Sequence, residues 1–254
     1  MLLKSGYLSD HPVEYTDNKE LIDGLNRYFF LGKQEEAVSR KERSFAIFGR
    51  EKVLDQKPVR SLLRKLQITE SDLKFYDTPE YCFHDYIPKR KEQMTLLICE
   101  NKDIWFNIRR CLFEDHWKSL FGVPIDGVVY GNGNKVSQKQ GALAEYVKFM
   151  GDPKVRFLYW GDIDREGFDI IKRTKEVNPT LEISLFLPGY RKMIERAKML
   201  DKLQKSPSSK KEGMQFDELI RVFSEEEQGY LKSVFANNRL IPQEIISYTL
   251  LSEG

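Results

Sequence analysis

Apolar and polar positions follow two regimes along the chain, with the change near residue 90. Before it, apolar residues recur at helical spacing. Residues 21–31 (LIDGLNRYFFL) predict a helix weakened by Gly24. Residues 58–66 predict another, with Pro58 in the first turn, where its missing N–H is no loss. Between them, basic and acidic side chains alternate over 33–43, and 44–48 form a short apolar patch before Gly49. Thr69 and Asp72 have the spacing that starts a turn, and Asp77-Thr78-Pro79-Glu80 is a turn signal. Residues 1–90 therefore read as a small, mostly helical N-terminal accessory lobe, too polar for a large core of its own.

Beyond that point the pattern becomes regular. Four short apolar runs predict buried strands: 94–99 (MTLLIC), 128–130, 155–160 (VRFLYW) and 181–187, the last ended by Pro188-Gly189. Helical spacing falls between them at 104–113, 138–150 and 167–174. The polar stretch 201–215 (DKLQKSPSSKKEGMQ) reads as an exposed linker, and the tail from Phe216 as up to three short helices, with Pro242 suited to a first helical position. Strands alternating with helices imply an α/β fold over residues 91–254, a central parallel sheet flanked by helices. Such sheets bind ligands outside the carboxyl ends of their strands.

Composition narrows the class. Apolar residues make up 41% and charged residues 31%, enough for a sizeable core. The net charge of +2, from 41 basic and 39 acidic side chains, does not demand a polyanionic partner, but charges segregated by face allow one. Cys82, Cys99 and Cys111 form no spaced pair, which fits a reducing compartment without a disulfide framework. Neither a signal peptide nor a run near the ~18 apolar residues of a spanning helix is present, so a cytoplasmic protein without a membrane segment is expected.

The strand ends carry the chemistry. Glu100 ends the first run, an Asn/Gly loop (131–134) the second, and Gly161-Asp162-Ile163-Asp164 the third. On extended backbone Asp162 and Asp164 point the same way. Two close carboxylates repel unless a cation lies between them, and Mg²⁺ is the natural choice because it takes hard oxygen ligands. Glu100 adds a third carboxylate, or acts on a proton, if the sheet order makes it a neighbour. The plainer alternatives stand beside this: Asp164 is also well placed to cap the helix that follows, and Glu100 reads equally as a surface residue. Lys102 suits a phosphate contact, an ion pair with Glu100 or a solvated helix start. Asn132, Asn134 and Lys135 lie in a loop without Walker spacing, so nucleotide hydrolysis is not indicated. His11, His84 and His116 lack metal-ligand spacing and read as surface or packing residues. Basic clusters at Lys89-Arg90-Lys91, Arg109-Arg110, Arg191-Lys192 and 196–198 suit either a DNA backbone or plain solubility.

The phrases LLICENKDIWFN (96–107) and YWGDIDREGFDI (159–170) resemble the Toprim domain, shared by topoisomerases, primases and some nucleases. With KERSFAIFGREK (41–52) and RLIPQEII (239–246), the chain is similar, from about residue 40 onward, to the C-terminal part of the Wadjet nuclease subunit family JetD, and more distantly to topoisomerase VI A subunits. The resemblance implies a metal-dependent DNA endonuclease. It would cut by metal-activated water, working with an SMC-like ATPase complex against circular plasmids. Glu100, Asp162 and Asp164 inherit catalytic and metal roles, with Lys102 beside them, Glu244 completing the metal shell and Gln243 a weaker candidate. Mg²⁺ or Mn²⁺, as two ions, is the implied cofactor. Lys135, Arg109, Arg191 and Lys192 are the candidate contacts to double-stranded DNA. Cutting both strands suits a homodimer with two acidic centres. Compared with the full subunit, the chain reads as a compact relative or a fragment lacking an extended N-terminal arm. Tyr7, Tyr15, Tyr28, Tyr76, Tyr81 and Tyr86 are available as nucleophiles, but none has a helix-turn-helix setting, which favours hydrolysis over a covalent tyrosyl link. Two alternatives remain open: a topoisomerase- or recombination-type strand transferase, and a non-catalytic assembly protein.

Overall fold

The computed structural model describes residues 6–31, 37–77, 83–138, 141–200, 202–207 and 216–252. The chain divides into two compact units, Met1–Thr78 and Pro79–Gly254. The division falls before residue 90 because Asp85–Tyr86, expected in the N-terminal lobe, pairs with a strand of the main sheet.

The first unit contains α1 (Tyr7–Asp10), α2 (Pro12–Asp17), α3 (Lys19–Leu31), β1 (Val38–Ser39), α4 (Arg40–Phe48), α5 (Lys57–Lys65) and β2 (Phe75–Tyr76). Ser39 and Glu42 form a reciprocal capping box that starts α4, and Gly49 ends it with a left-handed φ of 67°. Thr69 and Asp72 bond reciprocally, as their spacing suggests. The unit has a small core of its own, built on Ile22, Leu25, Leu54, Leu62 and Leu73. Arg43 is fully buried in it, with its guanidinium over the Tyr28 ring and one nitrogen donating to the Lys74 carbonyl at 3.1 Å.

The second unit runs β3 (Asp85–Tyr86), β4 (Gln93–Cys99), α6 (Lys102–Phe113), β5 (Ser119–Leu120), β6 (Val123–Pro124), β7 (Gly127–Tyr130), α7 (Ala142–Phe149), β8 (Lys154–Trp160), α8 (Arg165–Val177), β9 (Glu182–Leu185) and α9 (Leu187–Ala197). It continues through β10 (Gln204–Lys205), α10 (Asp217–Ile220), α11 (Glu225–Ala236), β11 (Arg239–Leu240) and α12 (Tyr248–Ser252), with 3-10 turns at Gly133–Ser137 and Gln243–Ile245. The fold is α/β, with a mostly parallel five-stranded sheet in the order β3-β7-β4-β8-β9. Only β3 runs antiparallel. Parallel strands are buried on both faces, which is why 94–99 and 155–160 are continuous apolar runs rather than alternating ones. Leu96, Leu97, Ile98, Cys99, Phe157, Tyr159 and Trp160 are completely buried.

Two expectations are corrected. Pro188-Gly189 does not simply end the fourth strand. Pro188 lies in the first turn of α9, and Gly189 lets that helix close on the sheet, since a Cβ there would stand 2.7 Å from both the Trp160 and the Phe186 rings. The stretch 201–215 is not all linker, because β10 pairs with β11 and Ser206 is buried. Residues 201 and 208–215 lie outside the described residues, as do 32–36, 78–82 and 139–140 of the segments discussed above. No helix of the described residues is long and apolar enough to cross a membrane.

Candidate functional site at the carboxyl edge of the sheet

The register of the sheet sets the site. Cys99 is paired with both Tyr130 and Trp160, so β4, β7 and β8 end level with one another. The ladder runs one step further, with Gly131 N donating to the Cys99 carbonyl at 2.7 Å and Glu100 N to the Trp160 carbonyl at 3.0 Å. Glu100, Gly131 and Gly161 therefore leave the sheet side by side. Glu100 folds over the end of β8, where its Oε2 accepts from the Tyr159 hydroxyl at 2.9 Å and from Asp162 N at 3.4 Å. Gly161 makes this possible. A Cβ at that position would lie 2.2 Å from Glu100 Oε2 and 2.9 Å from the Tyr159 ring. Beneath it, Gly161 N donates to the hydroxyl of the buried Tyr190 at 3.0 Å.

Asp162 is held from the far end of the chain. Its Oδ1 accepts from Gln243 N at 2.8 Å and from Asn101 Nδ2 at 3.0 Å. Gln243 is completely buried and makes two more bonds. Its Nε2 donates to the Trp160 carbonyl, and its Oε1 accepts from Asn101 N, both at 3.0 Å. A two-residue antiparallel bridge, Ile163 with Ile241, brings this segment in. Asp164 takes different partners. Its Oδ1 accepts from Gly167 N at 2.9 Å, capping α8, and its Oδ2 accepts from Ser206 Oγ at 2.5 Å. The helix-cap role open to Asp164 from sequence is thus present, and Ser206 anchors it from the segment taken for linker.

The electrostatics follow from crowding and burial. Burial raises the Glu100 carboxyl to about 8, and the charges of Asp162 and, less, Asp164 add to this. Asp162 is raised to about 6, again mainly by burial, with Glu244 and Asp164 repelling and the bonds from Gln243 and Asn101 opposing. Glu244, exposed on the 3-10 turn at Gln243–Ile245, is therefore within electrostatic reach of Asp162. Among the described residues no three His, Cys, Asp or Glu side chains stand close enough in these rotamers to hold an ion. Yet Glu100 Oε1 and Asp162 Oδ2 accept no hydrogen bond among the described residues, and both groups are held where a counter-charge is favoured. An all-oxygen donor set of this kind fits a hard divalent cation.

The basic candidates are spread more widely. Lys102 is exposed at the first position of α6. Lys135 lies in the 3-10 turn after β7, with its ammonium 5.7 Å from the Phe83 ring centre. In the same loop Asn134 is taken by Arg173, whose Nη2 donates to its Oδ1 at 2.6 Å. Arg109 stacks over Phe106 and Trp105, and its buried Nε has no hydrogen-bond partner among the described residues. Arg191 and Lys192 are exposed on α9 and ion-paired with Glu227 at 3.3 Å and Glu195 at 3.0 Å. Sequence reasoning missed Tyr159, Tyr190, Asn101 and Ser206, since each acts through a contact that only the fold creates.

Asp164 gives a first prediction. Asp164→Ala is expected to lower stability by about 1–2 kcal/mol through loss of the cap, whereas Asp164→Asn retains an oxygen for Gly167 N and costs less. Urea denaturation of the two variants checks the order, and equal stability of Asp164→Ala and the parent would remove the cap from the account.

No match was found among curated proteins. A family model matches residues 54–253, a span that holds Glu100, Asp162, Asp164 and Glu244 but stops short of the 41–52 phrase. That family is described as Wadjet protein JetD, C-terminal, and the chain, matched over most of its length, belongs to it.

Proposed function

We propose that the carboxyl edge of the sheet is the cutting centre of a metal-dependent DNA endonuclease, working as a component of a Wadjet-type system. The observation that carries this is the meeting of Glu100 and Asp162 at level strand ends, both with carboxyl groups raised chiefly by burial and further by neighbouring carboxylates. A carboxylate pair crowded in this way gains by sharing a cation. Glu100 and Asp162 would hold it, with Glu244 a further carboxylate within electrostatic reach of Asp162. Bound Mg²⁺ or Mn²⁺, as one ion or two, supplies charge stabilisation for a scissile phosphate and lowers the pKa of a bound water. The chain's own residues do the rest. Tyr159 fixes the Glu100 carboxylate, and Asn101 and Gln243 fix Asp162 through one oxygen. Asp164 anchors the start of α8 behind them, a positioning role in this rotamer.

Finer features belong to the same reading. The sheet edge is of Toprim type. Lys102, Lys135, Arg109, Arg191 and Lys192 contact the DNA backbone, and a homodimer presents two centres to a duplex. An SMC-like ATPase complex is the partner. Covalent catalysis by tyrosine is disfavoured at this edge, because Tyr159 and Tyr190 are completely buried and hydrogen-bonded.

The test is incubation of the chain with supercoiled plasmid, with and without Mg²⁺ or Mn²⁺, followed by a denaturing gel. Metal-dependent nicking without covalent protein is expected. Protein-linked DNA would point to a strand transferase, and absence of both cutting and calorimetric metal binding would leave an assembly protein. A thermal shift adds a reading independent of activity. Mg²⁺ at about 100 times its Kd is expected to stabilise the folded parent by about 2.7 kcal/mol. No such shift is expected for Asp162→Asn, and an equal shift in both would place the ion elsewhere.

A further inference from the structure

The amino edge of the same sheet carries a cavity of about 490 Å³, lined by the segment before β4, the turn after α6 and the residues just before β7. It is separate from the acidic edge. The seven residues of β4 lie between them, about 20 Å at the usual strand rise. Its chemistry is also opposite. Lys89, Lys118 and His116 line it, and among the described residues no carboxylate is within ion-pairing distance of any of the three. The one acid in the lining, Asp126, is already spent. It accepts from Lys91 Nζ at 2.5 Å and from Thr95 N at 2.8 Å, which locks the base of the cavity to β4. Pro88, Trp117 and Ile125, with Leu112 behind, supply an apolar floor. The walls are built, not incidental. The β5–β6 hairpin is closed by Ile125 N donating to the Lys118 carbonyl at 3.0 Å, and Trp117 N bonds to the end of α6 at the Cys111 carbonyl.

We propose that this cavity docks an acidic peptide segment of a partner chain, with an apolar or aromatic side chain in the floor and carboxylates meeting Lys89, Lys118 and His116. The volume lies in the range of pockets that enclose a ligand. An anchor in an apolar pocket ringed by charge is how a short segment gains both affinity and orientation. A duplex backbone fits the cations but has no apolar group to place on Pro88, Trp117 and Ile125, so the floor distinguishes peptide from nucleic acid. The site would serve whether or not the acidic edge cuts DNA.

The experiment is selection of a random short-peptide library on the full chain. Selected peptides are expected to carry acidic residues beside an aromatic or large aliphatic one. They should lose about tenfold or more in affinity on Lys89→Glu/Lys118→Glu, and less on the milder Lys89→Gln/Lys118→Gln. Both variants substitute exposed lysines, and a parental melting curve confirms their fold. Affinity should fall with added salt. Peptides without acidic enrichment, or peptides bound equally by both variants, would overturn the proposal. Displacement of the peptide by a single-stranded oligonucleotide, with the same dependence on the two lysines, would overturn it in favour of a nucleic-acid groove.

Discussion

Asp162→Asn is expected to lower metal-dependent plasmid cutting by about 100–1000-fold or more while leaving the fold intact. Asparagine keeps an oxygen for Gln243 N and Asn101 Nδ2, so the links that hold the loop survive. What is lost is the negative charge and the second oxygen as a cation ligand. In a site where preorganised charge stabilises the transition state, removing one partner costs about 3–4 kcal/mol. Asp164→Asn is the informative comparison. Both oxygens of Asp164 serve the α8 cap and Ser206, so this variant should retain far more activity than Asp162→Asn. The sequence resemblance assigns both aspartates the same metal role, and equal inactivation of both would mean that Asp164 leaves its cap to join the cation. Parental activity in Asp162→Asn would remove the acidic pair from the chemistry altogether.

The second large effect concerns pH. The metal-free chain is expected to lose stability as pH rises from about 5 to 8, and Glu100→Gln is expected to remove most of that loss. The sign follows from proton binding. Glu100 keeps its proton up to about 8 in the folded state, against 4.5 when unfolded, so across that window the folded state holds more protons. Stability contributed by the protonated form is full below the unfolded value and is lost as pH rises through the folded one. Asp162 adds in the same direction between 3.8 and about 6. Each unit of difference corresponds to about 1.4 kcal/mol. Parent and Glu100→Gln should therefore have similar urea midpoints near pH 5 and separate by pH 8, with the variant the more stable. Saturating Mg²⁺ should close the gap by replacing the proton with a cation. Parallel curves for parent and variant from pH 5 to 8 would show that Glu100 ionises freely.

Much of the second unit was legible in the sequence because parallel strands need apolar side chains on both faces. The runs at 94–99 and 155–160 fall within β4 and β8, and the acidic residues just beyond them are delivered to one edge by the register. α9 was not legible, because Pro188-Gly189 has the composition of a stop, and only the Trp160 ring against Gly189 shows why those residues open a helix. β3 is two residues long, too short to leave a periodic signal. The support of the site was hidden for a different reason. Asn101 and Gln243 are 142 residues apart, and Ser206 meets Asp164 across 42, so no local pattern couples them. The Asp164 cap was legible, since an aspartate three residues before Gly167 is a local feature.

The reach of Gln243 back to Asp162 has a consequence for the life of the chain before it is whole. Synthesis runs from the amino end, so β4 and β8 emerge with both acids before the segment that steadies one of them. The delay is 81 residues, about 4–16 s at roughly 5–20 residues per second. Through that interval a nascent chain carries Glu100 and Asp162 without the clasp that aligns Asp162. On the proposed reading, the order of synthesis itself keeps the edge unaligned until Gln243 has emerged, and a chain broken off before that residue lacks the clasp altogether.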